Sequence, residues 1–387
     1  MMRTTGSYVT TTTLGEAVRA FVPHALPPAD PPLAAERYTA ANHRAEMALT
    51  RLSGMAGLVP SVDWLLYSAI RKEALLTSQI EGTQATLTDL FDDEAGRVLA
   101  NTADVEEVTN YLRAFRLVRD NLRSAAGLPI SVRLLRDAHS LLLDGARGVG
   151  KQPGELRRSQ NWIGGARPGR AVFVPPPPDQ VPGLLAELER FIHEPVPELP
   201  PLVRVALVHV QFETIHPFLD GNGRIGRLLI AALLEQWALL PEPLVYLSGY
   251  LKQHQAEYYR RLDAVRMAGD WEGWVGFFLD GVEAAATDAE RGIVAMAGLI
   301  NADRKRLLAA PRVGGVALRL FELLPLMPRF TIELARQKLD TTFPTATAAV
   351  KLLQGLGLLT ELTGQKKNRL FSYAAYVELL AQGVSNP

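Results

Sequence analysis

The sequence of 387 residues contains no cysteine. A chain without cysteine has no disulfide framework, no thiolate nucleophile and no cysteine-ligated zinc or iron–sulfur site. Any chemistry must therefore be carried by carboxylates, by basic side chains or by the 7 histidines. Thiol-based enzymes are excluded.

The sequence also lacks net charge, because 41 lysines and arginines balance 41 aspartates and glutamates. We expect no global attraction to nucleic acid or to an anionic membrane, so any such attraction must be local. The hydrophobic fraction of 48% and the charged fraction of 21% are typical of soluble globular proteins and exclude a wholly disordered chain. At about 150 residues per domain, the length predicts two to three domains.

Long apolar runs are absent too. The most apolar stretch, residues 228–251, is interrupted by glutamates and prolines and falls short of the ~20 apolar residues that span a bilayer. The threonine-rich N-terminus lacks the apolar core of a signal peptide. We therefore expect a cytoplasmic protein with no membrane partner.

Residue patterns divide the chain into regions. Residues 1–36 are rich in threonine and proline, which predicts an extended, weakly ordered lead segment. Apolar residues then recur at helical spacing up to about residue 300, so this part is predicted to be mainly helical. One exception is the run Val172, Phe173 and Val174, which lies between glycines and prolines and predicts a short edge strand or hairpin.

Residues 301–387 have a different pattern of predicted elements. Three short helices are predicted at 316–326, 331–339 and 345–354, followed by two strand-like runs at 357–362 and 369–373. This order resembles a winged helix domain. Residues 311–373 carry nine lysines and arginines against four acidic residues, a local balance of +5. That balance is compatible with DNA binding, while protein docking or dimerisation stays equally open.

The most informative segment is HPFLDGNGRIGR, residues 216–227. Gly221, Asn222 and Gly223 precede a predicted helix, so their backbone N–H groups can cradle a phosphate with help from the helix dipole. Asp220 would repel a lone phosphate, but one carboxylate beside phosphate oxygens is what Mg²⁺ binds. The segment therefore predicts a site for a phosphate and Mg²⁺.

Two further residue types complete this segment. Arg224 and Arg227 lie three residues apart and can grip phosphate oxygens bidentately. His216, with an ordinary pKa of about 6.5, can take a proton from a hydroxyl. The glycines at 221, 223 and 226 also fit G-x-G-x-x-G, but HPFLD separates them from the preceding strand-like stretch, which disfavours a dinucleotide fingerprint. A simple helix-capping turn with solvated arginines is the remaining alternative.

The segment resembles the Fic family signature H-x-F-x-[DE]-G-N-G-R-x-x-R at all eight fixed positions. PGELRRSQNWIGG, FVPPPP and DWEGWVGFFL are also similar to Fic segments, so the resemblance covers about residues 65–282. It implies a mainly α fold: a Fic helical core with a β-hairpin flap, followed by a small winged helix-turn-helix domain. The catalytic core would be residues 111–300.

The resemblance implies an enzyme that transfers AMP from ATP to a Ser, Thr or Tyr hydroxyl of a protein, possibly itself, with release of pyrophosphate. The implied roles are His216 as general base, Asp220 as Mg²⁺ ligand, and Gly221, Asn222, Gly223, Arg224, Gly226 and Arg227 as nucleotide-binding residues. Tyr258 and Tyr259 would line the adenine pocket, although as plain sequence they are core aromatics. The flap at Val172, Phe173 and Val174 would hold the target as an added strand.

A second motif, Thr77-Ser-Gln-Ile-Glu81-Gly82, resembles the inhibitory motif [ST]-x-x-x-E-[GN] of Fic proteins and lies in the predicted N-terminal helical region, residues 37–110. The resemblance implies that Glu81 pairs with Arg227 and keeps it from the ATP γ-phosphate. The alternative function is a nucleotide-sensing, DNA-binding regulator built on a Fic core. Transfer of UMP or phosphocholine, removal of AMP, and a homodimer stay open.

Overall fold

A computed structural model of the chain describes residues 3–99, 101–145 and 148–382. Most described residues are helical, as predicted. The helices of the larger part are α1 (Thr39–Gly54), α2 (Val62–Ile80), α3 (Leu87–Glu94), α4 (Thr102–Arg123), α5 (Val132–Leu142), α6 (Val181–His193), α7 (Pro201–Ile215), α8 (Asn222–Gln236), α9 (Leu247–Gln253), α10 (Gln255–Ala268) and α11 (Trp271–Ala309). None of the described helices has the length and apolar character to cross a membrane.

Helix α7 lies at the centre of the core. All of its residues from Val205 to Ile215 are buried, so it is apolar on nearly every side and packs against α6, α8, α10 and α11. A helix without a solvated face is held by neighbours all round. Its C-terminal end, immediately before His216, is therefore rigidly placed.

The prediction of an extended, weakly ordered N-terminal segment is wrong for residues 6–23, which form an antiparallel hairpin. Its strands are β1 (Gly6–Thr13) and β2 (Glu16–Pro23). The turn residues Leu14 and Gly15 both have positive φ, which matches the twist of a two-residue hairpin. The threonines that suggested a polar lead are β-branched and favour a strand.

The C-terminal part contains the three predicted helices, α12 (Gly315–Leu323), α13 (Ile332–Leu339) and α14 (Phe343–Gly355), and a further helix α15 (Ala374–Ala381). Strands β3 (Arg329–Thr331), β4 (Thr360–Glu361) and β5 (Leu370–Ser372) form one antiparallel sheet in the order β3-β5-β4. Strand β3 has three residues and was not predicted.

The C-terminal part is attached to the larger part by buried contacts. Helix α11 runs without a break across the predicted boundary at residue 300. The Tyr373 hydroxyl donates to Asp303 on that helix at 2.7 Å, and Arg329 pairs with Asp92 at 2.7 Å. The two parts are therefore one packed body.

Candidate active site

The loop between α7 and α8 brings His216 and the N-terminus of α8 to one place. His216 ends α7 in the left-handed conformation with φ of 51°, and Gly221 precedes α8 with φ of 75°. The left-handed region suits glycine but costs a histidine roughly 1–3 kcal/mol. Such a conformation persists only where the surroundings hold it.

Most of the predicted site residues line one cavity of about 570 Å³. The predicted residues in its lining are Glu81, Val172, Phe173, His216, Asp220, Gly221, Asn222, Gly223, Arg227, Tyr258 and Tyr259. Val174, Arg224 and Gly226 lie outside this lining. Folding therefore gathers predicted residues from four segments of the chain around the predicted phosphate nest.

The loop itself is braced by side chains. The Asn222 amide donates to the Phe218 carbonyl and accepts from the Phe218 N–H, both at 2.9 Å. His139, which sequence reasoning missed, stacks on the Phe218 ring at 3.8 Å. Its Nδ1 accepts from Gly154 at 2.9 Å, so Nε2 donates to the Asp220 carbonyl at 3.0 Å. Burial lowers the pKa of His139 to about 4, which keeps the ring neutral.

The environment of His216 keeps its imidazole neutral. Burial, together with the positive charges of Arg266 and Arg157, lowers the pKa of His216 to about 3. Its Nδ1 is buried and has no hydrogen-bond partner among the residues that the structure describes. A pKa this low makes His216 a weak base, and an anion bound beside it would raise that pKa toward the range of an effective general base.

Arg227 is buried and held by the end of α2. Its Nη2 pairs with the Glu81 carboxylate at 2.5 Å, and its Nε donates to the Thr77 hydroxyl at 2.6 Å. Burial alone would lower the pKa of Arg227, but Glu81, together with Tyr258 and Glu213, more than offsets this and the net shift is upward. Arg227 is therefore a fixed positive charge at the floor of the cavity.

Glu81 also covers the N-terminus of α8. A Cβ atom at Gly223 would lie 2.4 Å from Glu81 Oε1, so the carboxylate rests directly against the first turn of that helix. Unpaired N–H groups and the helix dipole attract anions there. The N–H of Gly221, by contrast, already donates to the Asp220 side chain at 2.6 Å. The carboxylate of Glu81 therefore covers the first turn of α8.

Arg224 points to a neighbouring, smaller cavity. Its Nη1 pairs with Glu107 at 2.6 Å, and its Nη2 lies 3.6 Å from Asp220. This cavity of about 170 Å³ also contains Glu106 and Asp144 in its lining. Glu107 was not predicted, since nothing in its spacing along α4 distinguishes it from a surface glutamate.

Gly226 has a packing role. A Cβ there would lie 2.4 Å from the Glu213 carboxylate, so the glycine allows α8 to approach α7. The Gly226 carbonyl accepts from His209 Nδ1 at 3.1 Å. His209 Nε2 then accepts from the buried Tyr258 hydroxyl at 2.8 Å. Tyr258 is thus tied to the core while its ring faces the cavity, and Tyr259 beside it is 44% exposed.

The predicted flap has less strand structure than expected. One isolated antiparallel bridge joins Ile163 to Phe173, and Val172 beside it is exposed. The Val174 carbonyl accepts instead from the N–H of Phe21 in β2, at 2.9 Å. Four prolines follow Val174 and cannot donate to a ladder, which explains why strand pairing stops.

Asp220 is the residue that fits a metal ion. Its carboxylate is 41% exposed and lies 3.3 Å from Lys151. The part of the chain described by the structure contains no cluster of three or more histidine, aspartate or glutamate side chains suited to a metal. A single carboxylate beside a phosphate nest nevertheless fits Mg²⁺, which takes one or two protein ligands and completes its shell with phosphate oxygens and water.

Glu213 predicts a distinctive dependence of stability on pH. Burial raises the pKa of Glu213 from 4.5 to about 7, against the opposing effect of Arg227. The folded state therefore keeps a proton that the unfolded state releases, so stability falls as the pH rises from about 4.5 to about 7. We expect the melting temperature of wild type to fall by a few degrees relative to Glu213→Gln between pH 5 and pH 8.

Thermal melts of the two proteins across this pH range check the expectation. His209 and His216, whose pKa values are both lowered, affect the two proteins alike and cancel in the difference. If the difference in melting temperature between wild type and Glu213→Gln stayed the same from pH 5 to pH 8, Glu213 would be ionised in the folded state.

Comparison with known proteins identifies two regions of the chain. Residues 39–120 match the model of the Fic/DOC family N-terminal region, and residues 129–234 match the Fic/DOC family model. The chain therefore contains a Fic N-terminal domain and a Fic domain. The cavity is lined by Glu81 from the first region, by His216 from the second, and by residues 258–266 beyond both.

The chain is similar to curated proteins named protein adenylyltransferase Fic. Identity is 34% over 208 residues with the Drosophila erecta protein and 28% over 208 residues with the Drosophila melanogaster protein. The matched residues are 53% of this chain but only 38% and 39% of those relatives. The chain thus spans about two-fifths of their length.

Solved structures share the fold. A Fic family protein from Desulfovibrio desulfuricans G20 has a TM-score of 0.54 at 22% identity, covering 86% of this chain and 95% of its own. A Fic domain containing signaling protein from Bacteroides thetaiotaomicron has a TM-score of 0.53 at 19% identity, covering 65% and 97%. The chain thus shares its fold with the Desulfovibrio protein over most of its length.

Proposed function

We propose that this chain, with its Fic domain, is a protein adenylyltransferase that transfers AMP from ATP to a Ser, Thr or Tyr hydroxyl of a protein. The observation that carries the proposal is the meeting of a neutral His216 with the N-terminus of α8 and the buried Arg227 around one cavity of about 570 Å³. The names of the curated relatives support the same activity.

The geometry suggests a division of roles. His216 takes the proton of the target hydroxyl, whose oxygen forms a bond to the α-phosphorus while the bond to pyrophosphate breaks and its electron pair leaves with pyrophosphate. The N–H groups at the start of α8 and the Arg227 guanidinium hold the phosphates in place. Catalysis then consists mainly of positioning and electrostatic stabilisation.

Asp220 is the residue we assign to Mg²⁺. When bound, the ion would supply positive charge to the phosphate oxygens, including those of the leaving pyrophosphate. The carboxylate is partly exposed and already turned toward the start of α8, where its Oδ1 accepts from Gly221 at 2.6 Å. Lys151 beside it would be displaced or would contact phosphate.

We also propose that Glu81 restrains the enzyme. Its carboxylate pairs with Arg227 at 2.5 Å and lies against Gly223, so it competes with a phosphate for two groups at once. A charge-assisted Arg–carboxylate pair of this kind is among the stronger hydrogen bonds in proteins. Glu81 forms the C-terminal end of α2, where a change in the helix end would move it.

Labelled nucleotides test the transferred group. Protein incubated with Mg²⁺ and ATP labelled at the α-phosphate should retain the label, whereas ATP labelled at the γ-phosphate should leave none. Retention of the γ-label would identify a kinase instead. Labelled UTP and CDP-choline in parallel reactions decide between AMP and the other groups that the Fic resemblance left open.

A second candidate function concerns the C-terminal part, which we propose binds DNA. Helix α14 exposes Phe343, Thr345 and Ala348, which can contact base edges and thymine methyl groups, and Lys351, which can contact a phosphate. Lys366 and Lys367 are exposed in the loop between β4 and β5, where they can contact phosphates. The +5 balance of residues 311–373 supports this reading.

The salt dependence of DNA binding tests this second function. We expect the full chain to shift a duplex pool, and the double variant Lys366→Ala, Lys367→Ala to reduce the slope of log K against log salt by about 1.8, for two lost phosphate contacts. Arg116→Ala with Arg133→Ala, which removes two exposed charges of the catalytic part, is the matched control and should leave the slope unchanged. A chain that shifts no duplex would leave protein docking as the role of this part.

A further inference from the structure

Two buried arginines outside the Fic signature hold the main chain around His216. Arg157 lies in the loop that follows α5 and is 2% exposed, and Arg266 lies in α10 and is 7% exposed. They approach the end of α7 from different segments. Each also contacts the 172–176 segment, which lies beside the cavity.

Arg157 joins the His216 loop to the prolines after Val174. Its Nε donates to the His216 carbonyl at 2.8 Å, while its Nη2 donates to the Pro176 carbonyl at 2.5 Å. A longer bond of 3.4 Å reaches the Ile215 carbonyl. Burial lowers the pKa of Arg157 to about 10, so the guanidinium stays charged at neutral pH.

Arg266 makes the equivalent connection one turn earlier on α7. Its Nη2 donates to the Glu213 carbonyl and its Nε to the Thr214 hydroxyl, both at 3.2 Å. The guanidinium lies 4.0 Å from the centre of the Phe173 ring, and Asp263 accepts from its Nη1 at 3.1 Å. A guanidinium over an aromatic face is an attractive contact.

We propose that Arg157 and Arg266 are positioning residues that together fix His216 relative to the 172–176 segment, along which the target hydroxyl is delivered. The left-handed conformation of His216 requires such support, because strained backbone persists only where its surroundings over-determine it. A planar guanidinium can hold several carbonyl groups in a fixed geometry, whereas a lysine ammonium cannot. The inference rests on the proposed adenylyl transfer for its catalytic consequence.

The size of the expected effect follows from the distance dependence of catalysis. A misplacement of about 1 Å between reacting groups can cost about 10²-fold in rate. In the proposed function, ATP is held by α8 and Arg227. The hydrogen bonds of Arg157 and Arg266 in the described residues involve neither of these. Replacing the planar guanidinium of Arg157 or Arg266 should therefore lower kcat without raising KM for ATP.

The experiment uses the full chain carrying Glu81→Gly as the parent, with Arg157→Lys and Arg266→Lys made separately in it. Both substitutions keep the positive charge. We expect kcat to fall by about 10- to 100-fold in each, with KM for ATP close to that of the parent. The NMR signals of the His216 imidazole, assigned by their loss in His216→Ala, should shift or broaden as the ring samples other positions.

Arg204→Lys is the matched control. Arg204 lies at the other end of α7 and likewise donates to main-chain carbonyls, those of Phe191 at 2.7 Å and Glu194 at 2.8 Å. The Arg204→Lys variant should have a lower free energy of unfolding than the parent but an unchanged kcat. An equal fall in kcat in Arg204→Lys, or an unchanged kcat in either of the other two variants, overturns the proposal.

The two proposals fail in different ways. A Glu81→Gly parent that transfers no AMP refutes the proposed function. In that case the positioning role is tested only by comparing the His216 imidazole signals of the parent and the lysine variants. Unaltered signals in both lysine variants refute that role. If Arg157→Lys does not fold, Arg266→Lys decides the question in the same two measurements.

Discussion

Replacing Glu81 with glycine is expected to raise the rate of AMP transfer at limiting ATP by about 10- to 100-fold. The reason is that Arg227 loses its carboxylate partner and the first turn of α8 is uncovered, so both can bind phosphate. A hydrogen bond between charged groups contributes about 1.5–3 kcal/mol, and each 1.4 kcal/mol corresponds to about a factor of ten. Initial rates at several ATP concentrations measure the change.

The substitution should not disturb the fold, because Glu81 is at the end of α2, where glycine is readily accommodated. Glu242→Gly is the matched control. Glu242 also lies outside a helix and pairs with an arginine, Arg123 at 2.9 Å, but it is absent from the lining of the large cavity. A transfer rate in Glu81→Gly no higher than that of wild type would mean that the Arg227 contact does not restrain the enzyme.

Replacing His216 with alanine in the Glu81→Gly parent is expected to lower the rate of transfer by about 10²- to 10⁴-fold, the contribution of a positioned general base. ATP affinity should change little, because the phosphates are assigned to α8 and Arg227. Single-turnover rates and equilibrium ATP binding, measured on the same preparation, separate the two effects.

His193→Ala provides the comparison for this variant. His193 ends α6, where its Nε2 contacts the Ile130 carbonyl at 2.7 Å, away from the cavity lining. Its loss should leave transfer unchanged. If His216→Ala retained most of the transfer rate, another group would have to take the proton from the hydroxyl.

The loop between α7 and α8 could be located from the sequence because its polar residues are concentrated in twelve consecutive positions. Local sequence determines that Gly221 turns the chain and that a helix begins after it. The same holds for the three helices predicted near the C-terminus, whose apolar spacing is a local signal, as is the capping Thr331 of the second helix. These elements are determined by residues close together in the sequence.

The supporting residues could not be predicted in this way. Arg224 meets Glu107 across 117 positions of sequence, and Arg157 meets the His216 carbonyl across 59. A single charged residue on a helix or in a loop gives no local indication of such a distant partner. Only tertiary folding shows which of the many arginines are buried against main-chain carbonyls.

The N-terminal hairpin illustrates a different limit. Threonine is polar but β-branched, so the threonine run predicts a weakly ordered segment by its polarity although its shape favours the strand β1 that it forms. Its partner β2 buries Phe21, whose ring lies 6.2 Å from that of Phe173. The sequence contains the strand pattern, but it does not indicate the surface near Phe173 against which the hairpin packs.

The most direct test incubates the wild type, Glu81→Gly and the double variant Glu81→Gly, His216→Ala with Mg²⁺ and ATP labelled at the α-phosphate, alone and with cell lysate. It measures the intact mass of the enzyme and the label on lysate proteins. We expect that Glu81→Gly adds one adenylyl group to itself or to a lysate protein, that wild type adds much less, and that the double variant adds none. No adduct with Glu81→Gly in either reaction, or an adduct that persists without His216, would contradict this expectation.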